Sequence, residues 1–273
     1  MSARNEEKYL PAVLSALWNQ TYPLQEVVVV NDGSTDNTEE VALSYNATVV
    51  NLPYHPHKLF LEPGGLAKRF NVALGAIGSC EYVLILGSDD LLPKNYVEVL
   101  VERLESDPKL VMASGQMKGY PSHPLRPRGS GRIVKVWFWK QISDLQFPVI
   151  SAWEEHMVYK ALQLGYDTRA FSDIQYERLR EECGRQPIKA FGDGQSMYSL
   201  GYYWVYVLFR VVWIFIRKPK EAYFLFMGWR SRRGVKRADM AEWLSEYQKH
   251  QIIFGSKKLL LGKLARKVRI GEI

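Results

Sequence analysis

The apolar positions in the first half of the chain alternate between two periods. From Glu6 to Gln20 they fall at Leu10, Val13, Leu14 and Leu17, the spacing of one helical face, and Pro23 closes that unit. Gln25 to Val30 reads QEVVVV, a short β-branched run suited to a strand buried on both faces. NDGSTDNT follows and turns the chain into a predicted helix over 37–45. ATVVNL (47–52), EYVLIL (81–86) and KLVMAS (109–114) read as further strands. Helical patterns at 66–77 and 95–105 separate them, and a loop of Pro, His and Gly runs to Gly65. Strand and helix alternate, so the fold class expected is α/β, a mostly parallel sheet flanked by helices. Residues 119–153 look irregular. A helix at about 154–164 stops at Gly165, and TRAF (168–171) is a short strand.

From Gly201 the pattern changes. YYWVYVLFRVVWIFI (202–216) is apolar but broken by Arg210, and RKPK follows. As a helix it spans about 22 Å, short of the ~30 Å hydrocarbon core. AYFLFMGWRSRRGVKR (222–237) repeats aromatics followed by basic residues, with Trp204, Trp213 and Trp229 suited to the headgroup level. Two packed helices would show the same pattern. The expectation drawn is a helical appendage over 186–273 that lies in a membrane interface, after a catalytic domain over 1–185.

Composition sharpens this division. The chain has 273 residues, 47% of them hydrophobic, which is enough for a real core and excludes a disordered chain. Residues 201–273 hold 16 Lys and Arg against 5 Asp and Glu, a net +11, whereas residues 1–200 carry a net −4. A basic tail on an acidic body predicts an anionic partner, an anionic membrane surface rather than nucleic acid. Two distant cysteines, Cys80 and Cys183, predict reduced thiols in a cytoplasmic setting. SARNEE after Met1 predicts no signal peptide.

Three stretches carry candidate chemistry. Asp32 follows the four valines directly, where ligands bind outside the carboxyl ends of parallel strands; an Asp-Gly turn with a helix cap is the plainer reading. In LILGSDDLLP (84–93), Asp89 and Asp90 either cap the next helix or hold a hard cation against a diphosphate. In SAWEEHMVYK, Glu154 and Glu155 either complement a helix dipole or supply a base that deprotonates an acceptor hydroxyl; His156 is a lesser candidate. Lys68, Arg69 and Asn71 open the helix at 66–77, and Arg126, Arg128 and Arg132 lie in a loop where they could meet phosphate.

ARNEEKYLPAVLSALWNQTYP (3–23), EVVVVNDGSTDNT (26–38), PGGLAKRFNVALGAIG (63–78), YVLILGSDDLLP (82–93) and WEEHMVYKALQLGY (153–166) resemble, in order and spacing, family 2 glycosyltransferases with the GT-A fold. The resemblance covers roughly residues 3–180. It implies an inverting transfer of a sugar from a nucleotide-diphosphate donor, with Mg²⁺ or Mn²⁺; with the basic, aromatic tail and the reduced thiols, the place expected for it is the cytoplasmic membrane face. GDGQSMYSLGYYW (192–204) resembles a junction in members that assemble cell-surface polysaccharide, so the acceptor implied is a glycan or lipid-linked sugar. By match, Asp32 contacts the base or ribose. Asn31, Arg69, Asn71, Ser88 and Asp90 join it as substrate-binding candidates, Asp89 is the metal ligand, Glu155 the base and Glu154 its support.

The chain departs from the family pattern twice. Gly87 stands where an Asp-x-Asp-Asp pattern has its first carboxylate. The apolar strand that normally precedes ARNEE is expected to be missing, leaving the VVVV strand with an unpaired edge. These departures keep a non-catalytic binding or scaffold protein in view. A sugar-phosphate nucleotidyltransferase would need a Gly-rich, Arg/Lys-bearing phosphate loop, which ARNEE does not supply.

Overall fold

A computed structural model of the chain describes residues 1–55, 64–120, 123–180, 187–231 and 234–252. The chain forms two compact units, Met1–Val149 with Trp153–Gly184, and Ile150–Ala152 with the chain beyond Gly184.

In the first unit the elements run β1 (Ser2–Ala3), α1 (Leu10–Trp18), β2 (Val28–Asp32), α2 (Thr38–Ser44), β3 (Thr48–Leu52), α3 (Gly65–Ala76), β4 (Tyr82–Ile85), β5 (Asp90–Leu91), α4 (Tyr96–Ser106), β6 (Leu110–Met117), β7 (Arg132–Lys135), α5 (Val136–Ser143), α6 (Trp153–Gln163) and β8 (Asp167–Arg178). β1, β2 and β3 form a parallel three-stranded sheet; the second sheet has the order β4-β7-β6-β8-β5. The α/β class holds. The second sheet is mixed, because β7 runs antiparallel to both β4 and β6 while β6 and β8 pair in parallel.

β7 and α5 lie inside the stretch expected to be irregular. Charged residues flank a strand of only four, RIVK, and yet all four are buried. Lys135 donates Nζ to Leu104 O at 2.6 Å, and Arg132 is fully committed to backbone carbonyls. A basic side chain that finds carbonyl partners can stand inside, where sequence alone places it in water. β8 is also much longer than TRAF, since Ile174 and Tyr176 continue the inward alternation. α1 starts later than its periodicity suggests. Asn5 has φ 53°, outside helical space, and Pro11 suits only the first turn.

The core between α1, α4 and the sheets is built on Leu10, Leu14, Val29, Tyr96, Leu100, Leu104, Leu110 and Ile133. The expectation of a missing first strand is corrected: Ser2 and Ala3 form a two-residue strand, opposite Val30 and Asn31. β2 and β4 do not pair. A cavity of about 480 Å³ lies between them, lined by Val27, Val28, Tyr82, Leu84, Leu74 and Val101 among others.

The second unit is helical, with α7 (Pro187–Ser199), α8 (Trp204–Phe215), α9 (Pro219–Arg230) and a further helix over 241–252. α7 and α9 cross tightly. A Cβ at Gly194 would lie 2.1 Å from Leu225 O, and one at Gly228 would lie 2.0 Å from Phe191 O, so only glycine permits this approach. α8 buries only Val207 and exposes Trp204, Leu208, Phe209, Val212, Trp213 and Phe215. Among the described residues no helix is long and apolar enough to cross a membrane. Most of the loop expected to run to Gly65 lies outside the described residues, as do Cys183, Arg232, Arg233 and the basic stretch from 253 on.

Candidate active site

Asp32 ends β2 and is 1% exposed. Its Oδ1 meets His55 Nε2 at 2.9 Å and Arg69 Nε at 2.6 Å, the latter as an ion pair rather than an aligned hydrogen bond. Arg4 steadies His55, with Nη1 2.9 Å from Nδ1 and Nη2 donating to its carbonyl at 2.6 Å. Asp32 Oδ2 is buried without a hydrogen-bond partner. A buried acceptor left unmet costs about 1–3 kcal/mol. A donor N–H or O–H from a ligand would relieve it.

Two neighbours predicted to face the ligand are engaged within the protein. Asn31 donates to Asn51 Oδ1 at 2.8 Å and accepts from Ser34 N, bracing the turn after β2. Asn71 exchanges two hydrogen bonds with the backbone of Phe147, at 2.9 and 2.7 Å. Lys68 is exposed on α3.

At the end of β4, Gly87, buried Ser88, Asp89 and Asp90 form the second cluster. Asp90 is 0% exposed and its oxygens are taken: Ser130 Oγ donates to Oδ2, and Arg178 donates Nε to Oδ1 at 2.8 Å and Nη2 to Oδ2 at 3.0 Å. The β5–β8 ladder sets this pair, with Asp90 opposite Arg178. Gly87 fits the same arrangement. A Cβ there would lie 2.7 Å from Asp90 Oδ2 and 3.2 Å from Asp89 Oδ1, and Asp90 is held too firmly to yield. The carboxylate missing from the Asp-x-Asp-Asp pattern would therefore displace the bidentate pair.

Asp89 is different. Its side chain is 19% exposed, and its ion contacts are long, 3.6 Å to Arg180 Nε and 3.9 Å to Arg178 Nε. Burial, and then the charge of Asp90, push its carboxyl above the ordinary range, opposed by both arginines. Glu6, just before α1, also belongs here. Burial raises its carboxyl, while Arg180 and Ser88 oppose the shift. Among the described residues no group of three or more His, Cys, Asp or Glu forms a metal cage. Asp89 fits a one-carboxylate site of the kind in which substrate phosphates supply the other oxygens; Asp90, with both oxygens spent, does not.

The third group stands on α6. Glu154 packs its carboxylate against Gly129, where a Cβ would lie 2.2 Å from it. Ser130, the next residue, bonds Asp90 through Oγ and accepts from Tyr176 Oη through its carbonyl at 3.0 Å. One short segment thus joins Asp90 to Glu154. Arg132 anchors it with bonds to the carbonyls of Pro127, Arg128 and Glu154. Arg132, one of three arginines expected to be able to meet phosphate, is instead a buried brace. Arg126 and Arg128 lie over the rings of Tyr159 and Tyr120. Glu155 is exposed in the first turn of α6 and His156 is buried. Burial, with Asp90 next in weight, pushes the Tyr176 hydroxyl up to about 12.

Sequence reasoning missed Glu6, His55, Arg178 and Arg180. Only the Asn-Glu-Glu string gave a signal for Glu6. Arg178 ends a strand whose partner there, β5, has two residues, and Arg180 lies just beyond that end.

Comparison with known proteins bears on the family and the fold. The Glycosyl transferase family 2 profile matches residues 1–160. Glycosyltransferase GlyG of Streptococcus pneumoniae is 31% identical over 113 residues, covering 40% of this chain and 36% of that protein. Poly-beta-1,6-N-acetyl-D-glucosamine synthase of Staphylococcus epidermidis is 28% identical over 117 residues, covering 42% and 27%. The chain thus matches about a third of the length of these curated relatives. The mannosyltransferase PcManGT of Pyrobaculum calidifontis, solved with GDP-Man and Mn²⁺, aligns with a TM-score of 0.58 at 17% identity, over 92% of this chain and 79% of that one. S. aureus TarS 1-349 with UDP aligns at 0.53 and 23% identity, over 72% and 62%. At these identities the structural likeness shows a shared fold. The family match covers more than half of the sequence, and the chain belongs to glycosyltransferase family 2, on a GT-A fold.

Proposed function

We propose that the first unit transfers a sugar, with inversion, from a nucleotide-diphosphate donor to a glycan or lipid-linked acceptor. The observation that carries this reading is Asp32, buried at a strand's carboxyl end with one oxygen unmet, in a family 2 chain that also presents Asp89. Asp32 receives a donor from the base or ribose, and Arg69 and His55 hold its carboxylate in place. Mg²⁺ or Mn²⁺, held by Asp89 and the donor's phosphates, would neutralise the leaving diphosphate. Ser130 and Arg178 keep Asp90 fixed, so that Asp89 alone faces the donor. Glu155 takes the proton from the acceptor hydroxyl as that oxygen bonds the anomeric carbon; the bond to the diphosphate breaks on the opposite face. Glu154, against Gly129, orients the start of α6.

The solved PcManGT and TarS carry GDP-Man and UDP, which motivates the probes. Calorimetric titration with UDP, GDP and TDP, with and without Mn²⁺, tests the donor site. Absence of any metal-dependent nucleotide binding sinks the reading.

We also propose that the helical unit rests on an anionic membrane surface at the cytoplasmic face. The exposed aromatic side of α8 and the neighbouring Arg217, Lys218 and Lys220 support this.

A further inference from the structure

The two arginines beside Asp89 are held in different ways. Arg178 closes β8, sits opposite Asp90 in the ladder and grips it with two hydrogen bonds. Arg180 lies beyond the strand and is 47% exposed. Its Nη2 reaches both oxygens of Glu6 at 2.6 Å, its Nε stands 3.6 Å from Asp89 Oδ2, and its guanidinium lies 5.2 Å from the centre of the Tyr9 ring. Glu6 and Asp89 are thus two carboxylates on separate elements that converge on one half-exposed cation. With Asp90 answered by Arg178, Arg180 balances the remaining pair.

A divalent cation that joins Asp89 while that guanidinium stays does so against its charge. Like charges a few ångströms apart repel, and the carboxylate oxygen nearest Arg180 is one that a metal would take. A diphosphate, in contrast, offers a guanidinium the planar two-point partner it binds best. Arg180 is half exposed and holds its carboxylates through one guanidinium, so turning it to a phosphate exchanges one set of charge-assisted bonds for another.

We propose that Arg180 is the resident counter-ion of the Asp89–Glu6 pair, and that it leaves these carboxylates for the donor's diphosphate when metal and nucleotide bind. This rests on the donor reading above for its second half only. Metal alone then binds weakly, against Arg180. Metal and nucleoside diphosphate bind with positive coupling, since each removes an obstacle to the other.

The test is Mn²⁺ titration of the full chain, followed by electron paramagnetic resonance of free Mn²⁺, with and without UDP or GDP. Wild type, Arg180→Gln and Arg180→Lys are compared, and far-UV circular dichroism checks that each is folded. Without nucleotide, Arg180→Gln should bind Mn²⁺ roughly tenfold more tightly than wild type, and Arg180→Lys, which keeps the charge, should not. With Mn²⁺ present, both variants should lose roughly tenfold in nucleoside-diphosphate affinity, because lysine cannot replace a two-point guanidinium contact. A structural role moves both affinities in the same direction. Unchanged or weaker Mn²⁺ binding in Arg180→Gln overturns the proposal. If no nucleotide binds the wild type while Arg180→Gln still gains Mn²⁺ affinity, the donor reading fails and the counter-ion role stands.

Discussion

Asp89 and Asp90 are adjacent in sequence and opposite in circumstance. Asp90 is an internal salt bridge with no exposed surface; Asp89 keeps a charge that its surroundings raise in cost. Asp90→Ala is expected to destabilise the fold by about 3 kcal/mol, because it strands Arg178, and a urea melt measures this. Asp89→Asn should do the reverse. A carboxyl whose folded pKa lies above its unfolded value favours the native state fully only below the unfolded value, and that contribution is lost as pH rises through the folded one. Burial raises both Glu6 and Asp89, so stability of the ligand-free protein should fall as pH climbs from the ordinary carboxyl range, near 3.8 and 4.5, through their raised values. The neutral Asp89→Asn should raise the thermal midpoint at pH 7 while abolishing Mn²⁺-dependent nucleotide binding. Differential scanning calorimetry beside the titration checks both signs. A midpoint that drops instead means that the arginine contacts outweigh burial.

At the scale of elements, what the sequence made legible was the part driven by apolar periodicity. VVVV, EYVLIL and the 95–105 helix appear close to where the pattern puts them, as β2, β4 and α4. β7 escaped because its ends are Arg132 and Lys135, whose burial depends on carbonyls supplied by Leu104, Pro127, Arg128 and Glu154, all distant in sequence or set by the loop's path. The site divides in the same way. The motif strings single out Asp32, Asp89 and Glu155 as candidates, whereas Glu6, His55 and Arg180 meet their partners only through long-range folding. Asn71, also a candidate from a motif, spends its amide on Phe147, a contact that no local pattern announces. Arg132→Met should leave three carbonyls unmet and cost several kcal/mol. Because Arg132 ties the 127–131 segment to α6, this variant should also blunt transfer activity at temperatures where the fold persists. A urea midpoint and an initial-rate assay together check it.

For the whole molecule, charge and apolar surface are segregated between the units. α8 shows aromatic residues to solvent in a helix too short to cross a bilayer, and Arg217 lies over the Trp213 ring at 4.3 Å. A lipid surface would take the rings at its interface and the cations at its phosphates. Phe209→Glu with Trp213→Glu should abolish sedimentation with vesicles containing phosphatidylglycerol and leave nucleotide binding unchanged. Wild-type binding should weaken with added salt and vanish on vesicles of phosphatidylcholine alone. Salt-independent self-association of the wild type, lost in the double variant, would instead identify this face as a contact between copies.

The gap between β2 and β4 has a consequence for small apolar molecules. A solvent-open cleft of about 480 Å³ lined by Val27, Val28, Leu74, Leu84 and Val101 offers such a molecule a way out of water. An environment-sensitive apolar dye should therefore brighten on the folded first unit under native conditions. Val28→Glu, which puts a charge on the cleft wall, should reduce that fluorescence, and a dye titration of both proteins checks it.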